Sequence, residues 1–418
     1  LTALSHALDL TEGAPPGHTL RSCLIGMRLA EEIGLDVEER AALYYALLLK
    51  DAGCSSNAAR MTQLFGSDDR TLETWRNVAI GRGLLPKVKH MLGIARGDNI
   101  TQQLIVTRCE RGADIAARLG FPEATREAIR YLDEHWNGKG QPYGLAADAI
   151  PIGARIANIA QTVDVYAVAH GPAAALQVVR QRAGTWFDPH LVKKITGWRH
   201  DPSWWTRTLH EGIDTHVAAI QPAPGRIMLD PLGVENVARA FADVVDAKSP
   251  YTFKHSIHVA AWVRGMARTA GADATTTNTL FIAGLLHDVG KLGVSNMILD
   301  KPGKLTDEEF AAVQAHPRHT WEILSRIAAF EGIARTAALH HEKLDGSGYP
   351  WKLGGGDMDR WTRFLVVADI YEALTADRPY RAGIPRDEVL RMLERDRGTK
   401  LDGEALDALA ATESVETT

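Results

Sequence analysis

Two pairs of residues with the same separation constrain this chain more than any other feature. His18 and Asp51 are 33 residues apart, and so are His255 and Asp288, at an offset of 237. Around the second member, Leu47-Leu48-Leu49-Lys50-Asp51-Ala52-Gly53 mirrors Gly284-Leu285-Leu286-His287-Asp288-Val289-Gly290. Further on, Trp136-Asn137-Gly138-Lys139-Gly140-Gln141-Pro142 mirrors Leu344-Asp345-Gly346-Ser347-Gly348-Tyr349-Pro350 at an offset of 208, so the first half carries 29 extra residues between these landmarks. Asp188-Pro189-His190-Leu191-Val192 echoes Asp402-Gly403-Glu404-Ala405-Leu406. Ordered self-similarity of this kind indicates two homologous units rather than chance matches. The stretch 221–233 holds three prolines and two glycines and is the best linker candidate. The expected organisation is a unit over 1–220, a linker over 221–233 and a unit over 234–418.

Both units read as helical, so the fold class is all-α. In 23–33, Leu24, Met27, Leu29 and Ile33 share a side and Gly34 stops the run. In 234–245, Val234, Val237, Phe241 and Val244 form a stripe. Thr306 followed by three acids predicts a capped helix running toward His316. Pro317 disfavours helical geometry at His316 and predicts a kink or boundary there. Gly and Pro mark loops over 137–144 and 345–356. Trp198, Trp204 and Trp205 precede the linker, and packing of a connecting helix is favoured over a ligand platform.

Composition excludes several classes. Four hundred and eighteen residues suit two or three domains. A formal net charge of −5 argues against a nucleic-acid polymer as partner. Three cysteines argue against a disulfide framework and fit a reducing, cytoplasmic setting. Apolar runs are too short to span a membrane, and the first ten residues lack a signal-peptide pattern. The chain begins with Leu rather than Met, which leaves room for an upstream piece.

The halves differ in chemistry. His255, His287, Asp288, His316, His340, His341 and Asp369 in the second half are all candidate metal ligands. Their number exceeds what one tetrahedral zinc needs. It fits two cations sharing a bridging carboxylate, an arrangement suited to phosphoryl chemistry, and imidazole donors suit Fe, Mn, Zn or Ni. In the first half, Lys50, Arg108, Leu132, Asp133 and Gln161 stand at the positions of His287, His316, His340, His341 and Asp369. A lysine and an arginine repel a cation, so only His18, Asp51 and Asp133 could still ligate there. His190, His200, His210 and His216 are irregularly spaced, and a surface reading is preferred for them.

Residues from about 234 to 410 resemble the HD-GYP domain, a branch of the HD phosphohydrolase superfamily. The matching text is Tyr251-Thr252-Phe253-Lys254-His255-Ser256, His287-Asp288-Val289-Gly290-Lys291, His316-Pro317, His340-His341-Glu342, Asp345-Gly346-Ser347-Gly348-Tyr349-Pro350 and Arg378-Pro379-Tyr380-Arg381. The first half resembles a degenerate copy, with Gln141 in place of Tyr349 and Cys54 in place of Lys291. The resemblance implies two tandem HD-type bundles, the second holding a bi- or trinuclear centre that hydrolyses cyclic dinucleotides. It implies that Asp288 bridges and that the other six residues are terminal ligands. Trinuclear members carry a Glu at the position of Tyr251, so two divalent ions are expected, Fe or Mn foremost, with Zn, Ni or Mg as alternatives. Lys291, one helical turn past His287, would face the substrate phosphate. Arg378 and Arg381 would contact phosphate bidentately. Tyr349 would pack beside the substrate or support its loop.

The leading expectation is hydrolysis of cyclic di-GMP to linear pGpG, and onward to GMP. One rival is another phosphoester, such as a hybrid cyclic dinucleotide or a nucleotide. A second rival is a cyclic-dinucleotide receptor without turnover. The degenerate unit is expected to act as a packing partner, a homodimerisation surface or a sensor.

Overall fold

Helices and the turns joining them make up the described residues, with isolated bridges and no β-strand among them. The computed structural model describes residues 8–9, 15–53, 98–210, 212–222, 231–249, 254–301, 303–377 and 381–415. Cys54, Tyr251 and Arg378 lie outside these. The chain divides into two units, Leu1–Leu229 and Asp230–Thr418. Each is a helical bundle.

Unit 1 contains α1 (His18–Glu32), α2 (Val37–Leu49), α3 (Asp98–Arg118), α4 (Glu123–Arg130), α5 (Ile152–His170), α6 (Pro172–Gln181), α7 (Pro189–Ile195), α8 (Pro202–Leu209) and α9 (Ile213–Ala219). A capping box starts α2: Asp36 accepts from the Glu38 and Glu39 amides at 2.9 and 2.8 Å, and Glu39 accepts from the Asp36 amide at 3.0 Å. Such caps contribute about 1 kcal/mol each. Residues 41–49 of α2 are buried on every side, the mark of a core helix.

Unit 2 contains α10 (Pro231–Asp246), α11 (His255–Thr269), α12 (Ala274–Leu286), α13 (Asn296–Leu299), α14 (Asp307–Gln314), α15 (His316–Leu324), α16 (Glu331–Ala338), α17 (Arg360–Thr375), α18 (Arg386–Glu394) and α19 (Gly403–Ala411). Helix α12 is the counterpart of α2, with Leu280, Phe281, Ile282, Leu285 and Leu286 all buried. It packs against α11 and α16. Thr306 caps α14 through a reciprocal bond with Glu309. Helix α14 ends at Gln314 and α15 opens at His316. Pro317 falls in the first turn of α15, where its missing N–H costs nothing.

The repeat extends to backbone detail. Bridges join Asn137 to Ala146 and Asp345 to Gly354. The loop that each bridge closes is anchored by a buried glutamate. Glu134 accepts from the Tyr143 and Gly144 amides at 2.7 and 3.1 Å, and Glu342 accepts from the Trp351 and Leu353 amides at 2.8 and 3.0 Å. A Cβ on Gly53 would stand 1.9 Å from the Arg108 carbonyl oxygen, and one on Gly290 1.9 Å from that of His316. In both units, then, a glycine lets the turn after the central helix touch a later helix, α3 in unit 1 and α15 in unit 2.

The tryptophans before the linker are packing residues. Trp198 and Trp205 are buried. The Arg28 guanidinium of α1 lies 4.5 and 4.6 Å from the Trp198 and Trp204 ring centres. Cys23 and Cys109 are buried and belong to no disulfide. Among the described residues no helix is long and apolar enough to cross a membrane.

Candidate metal centre

All seven predicted ligands of unit 2 converge. His255 opens α11, His287 and Asp288 follow the end of α12, and His316 opens α15. His340 and His341 follow α16, and Asp369 lies in α17. Every one but His341 is buried. The two oxygens of Asp288 face different partners. Oδ1 lies 3.2 and 3.6 Å from Nε2 of His316 and His340, and Oδ2 lies 3.5 and 3.3 Å from Nε2 of His255 and His287. Asp369 Oδ1 lies 3.2 and 3.7 Å from Nε2 of His255 and His287, and its Oδ2 lies 3.6 Å from His341 Nδ1.

The outward nitrogens are already satisfied. The Nδ1 atoms of His287, His316 and His340 lie 2.7, 2.7 and 2.6 Å from the carbonyls of Gly284, Val313 and Ala337. Each acceptor is three residues back, at the end of the preceding helix. Nδ1 therefore carries the proton, and the Nε2 lone pair points inward, as a metal ligand requires. On His255 the Glu372 carboxylate takes the carbonyl's place at Nδ1. Glu372 escaped the sequence reading because a helical glutamate in α17 looks like any other. The clue was available: Asp164 stands 208 residues before it and binds His18 Nδ1 at 2.7 Å.

Electrostatics separates the histidines into two groups. Burial pushes His316 down to about 4, and it also lowers His340 and His341, so these three rings are neutral. Burial works the same way on His255, but its bonds to Asp369 and Glu372 prevail and raise it to about 10. Burial opposes the charge on Asp288 too, yet Lys291 and His287 hold it well below the usual carboxylate range.

Lys291 was expected one α-helical turn beyond His287. Instead α12 ends at Leu286, and Lys291 lies in a 3₁₀ turn over Val289–Gly293. The close approach of Gly290 to α15 stops the α-helix from continuing. From that turn Lys291 Nζ reaches Asp288 Oδ2 at 2.5 Å. The Tyr349 ring centre is 4.7 Å from that of His341. Burial, then the charges of Asp369 and Asp288, push its phenol up and keep it protonated. Arg381 donates to the Ala373 and Leu374 carbonyls at 2.9 and 3.3 Å, capping α17.

The donor set fits bound cations. His287 Nε2 and Asp288 Oδ1 are buried at its centre without a hydrogen bond, an arrangement that is costly unless something else pairs with them. Three overlapping ligand groups form there: His316, His340 and His341; His255, His287 and Asp288; and His287, His340 and Asp369. These are the only such groups among the described residues. His190, His200, His210 and His216 join none of them.

The HD-domain family profile matches residues 25–191 and again 239–405. The chain belongs to the HD-domain family. Its HD-GYP branch includes similar proteins of known activity. The chain is 42% identical to the 3′3′-cGAMP-specific phosphodiesterase 3 of Vibrio cholerae, over 98% of this chain and 93% of that protein. It is 38% identical to a cyclic di-GMP phosphodiesterase of Pseudomonas aeruginosa, over 35% of this chain and 36% of that one. Among solved structures, that of a cyclic GMP-AMP-specific phosphodiesterase of V. cholerae (V-cGAP3) matches with a TM-score of 0.69 and 38% identity, covering 98% of this chain and 96% of that one.

In the first HD unit, the chain's own cations occupy the corresponding position. Lys50 Nζ lies 3.1 Å from His18 Nε2 and is bonded to Asp51. Arg108 is bonded to Asp133. The three residues that could still ligate, His18, Asp51 and Asp133, are thus all engaged.

Proposed function

We propose that this HD-domain protein is a metal-dependent phosphodiesterase of cyclic dinucleotides, acting at the second unit, with 3′3′-cGAMP as the preferred substrate. The observation that carries the reading is the paired ligand set around Asp288, in a chain similar over nearly its whole length to a 3′3′-cGAMP-specific enzyme. The sequence alone put cyclic di-GMP first. The full-length relative favours the hybrid dinucleotide, while the cyclic di-GMP relatives resemble shorter parts of the chain.

His255, His287, His316, His340, His341 and Asp369 would hold two divalent ions, with Asp288 shared between them. Such ions act as Lewis acids toward phosphoryl oxygens and lower the pKa of water. Fe and Mn suit the mixed imidazole and carboxylate set. The chain itself supplies the rest. The carbonyls of Gly284, Val313 and Ala337 fix three rings in one tautomer. Lys291 stays an ammonium because Asp288 outweighs the effect of burial, and it places a positive charge where phosphoryl charge grows. Tyr349 and Arg378 would complete the substrate contacts, whereas the Arg381 guanidinium is committed to the Ala373 and Leu374 carbonyls. The three functional regions we assign are residues 1–220, a linker over 221–233, and the catalytic unit over 234–418.

The test is chromatography of products from metal-loaded protein given 3′3′-cGAMP or cyclic di-GMP. The expected result is linear dinucleotide from both, with the higher kcat/KM for 3′3′-cGAMP. Tight binding with no product would favour a receptor instead.

A further inference from the structure

We infer that Phe310 is a base-stacking residue at the mouth of the second unit's site. The inference rests on the cyclic-dinucleotide reading and adds a contact to it. Phe310 lies in α14 and is 48% exposed. A ring exposed beside a functional centre offers its face to a ligand base. Its ring centre is 6.5 Å from that of Tyr349, at an interplanar angle of 69°. The Tyr349 ring lies 4.7 Å from His341 at 34°. The three rings therefore run from a ligand of the proposed metal centre out to solvent.

The other half of the molecule carries independent support. The residues 208 positions before Phe310 and Tyr349 are Gln102 and Gln141. Gln102 donates to the Pro142 carbonyl at 3.2 Å, so the position does local structural work there. The unit that lost its ligands has lost both aromatic rings as well. If Phe310 served only to pack α14, nothing would tie it to the metal ligands.

A phosphoryl group held at the proposed centre would leave the purines of a cyclic dinucleotide within reach of rings at its mouth. A phenyl ring offers a π-face and no hydrogen-bonding group. It should therefore grip a purine without distinguishing guanine from adenine, leaving base selection to other residues. Stacking on an aromatic side chain is worth about 1–3 kcal/mol per base, or roughly 5- to 150-fold in affinity.

The test compares Phe310→Ala, Phe310→Leu and Phe310→Tyr in the full chain, with metal content and circular dichroism as controls. Binding of 3′3′-cGAMP is measured by equilibrium dialysis on metal-depleted protein, and KM and kcat on loaded protein. Phe310→Ala should weaken binding roughly 5- to 150-fold, with most of the kinetic loss in KM. Phe310→Tyr should restore binding, whereas Phe310→Leu, which keeps bulk without a π-face, should not. Unchanged affinity in Phe310→Ala, or rescue by Leu as good as by Tyr, would overturn the stacking role while leaving the function intact. A wild-type protein that neither binds nor cleaves any cyclic dinucleotide would overturn both.

Discussion

Lys50 Nζ lies 3.1 Å from His18 Nε2, on the ring nitrogen whose counterpart in His255 faces Asp288 and Asp369. The other nitrogen of each ring is bound by an acid, Asp164 in one unit and Glu372 in the other. Unit 1 has therefore kept the support for its histidine while replacing an external cation with a covalent one. An ammonium at that point repels a divalent ion and leaves no vacancy for it.

Metal should accordingly track unit 2 alone. Wild-type protein is expected to carry about two ions per chain, as a bridged pair requires. Asp288→Ala should bring that close to zero by elemental analysis, and Lys50→Ala should leave it unchanged. Lys50→Ala should instead lower stability by about 3–5 kcal/mol, because it strands the buried Asp51 carboxylate. The readout is the urea midpoint. Full metal content in Asp288→Ala would place the ions elsewhere.

Metal uptake should release protons at neutral pH. His255 is raised to about 10, so its ring is protonated in the metal-free protein, while His316, at about 4, is already neutral. A metal must displace the His255 proton, so affinity should rise with pH by up to about tenfold per unit below that value. In the metal-free protein the sign for stability is opposite. The His255 ion pairs stabilise fully below the ordinary histidine value of about 6.5, and the contribution is lost as pH rises through about 10. Calorimetry in buffers of differing ionisation enthalpy counts the protons; a count of zero at pH 7 would refute the assignment.

The convergence of His255, His287, Asp288, His316, His340, His341 and Asp369 was legible in the sequence, because adjacent His-Asp and His-His pairs recur there at ordered intervals. Their supporting residues were not. Glu342 stands inside a recognised motif and Glu372 does not, and in both cases only folding shows the role: one is bound to the amides of Trp351 and Leu353, the other to His255. The helix boundary at His316 could be read from Pro317, which acts locally. The 3₁₀ turn holding Lys291 depends on contact with α15, which no local pattern encodes.

Glu372→Gln should weaken metal binding about 10- to 100-fold, the usual cost of losing a ligand's outer partner. The amide keeps the size of the side chain, so circular dichroism should be unchanged. Competition with a chelator measures the affinity. A variant with wild-type affinity would make Glu372 a packing residue only.

Gly290→Ala should damage the fold around the site. Its Cβ would meet the backbone oxygen of His316 at 1.9 Å and the Thr320 amide nitrogen at 2.6 Å. Neither atom is the end of a flexible side chain, so α15 would have to move and carry His316 with it. Losses above about 3 kcal/mol accompany such backbone clashes. Thermal unfolding and metal content should fall together. A variant that kept both would mean that the approach of the two segments is looser than these distances imply.

Lys291 and the proposed metal ions would address the same carboxylate, which separates its role from theirs. Its Nζ is 2.5 Å from Asp288 Oδ2, and that oxygen also faces His255 and His287. A divalent ion held by Asp288 would compete with the ammonium for that carboxylate. Lys291→Met should therefore bind metal at least as tightly as wild type, since a competing positive charge is gone. Its kcat should nevertheless fall about 10²- to 10³-fold, the usual effect of removing one donor to developing charge. Both quantities come from the same preparation, by chelator competition and by product chromatography. Weaker metal binding with unchanged kcat per bound ion would instead make Lys291 a support for the metal site.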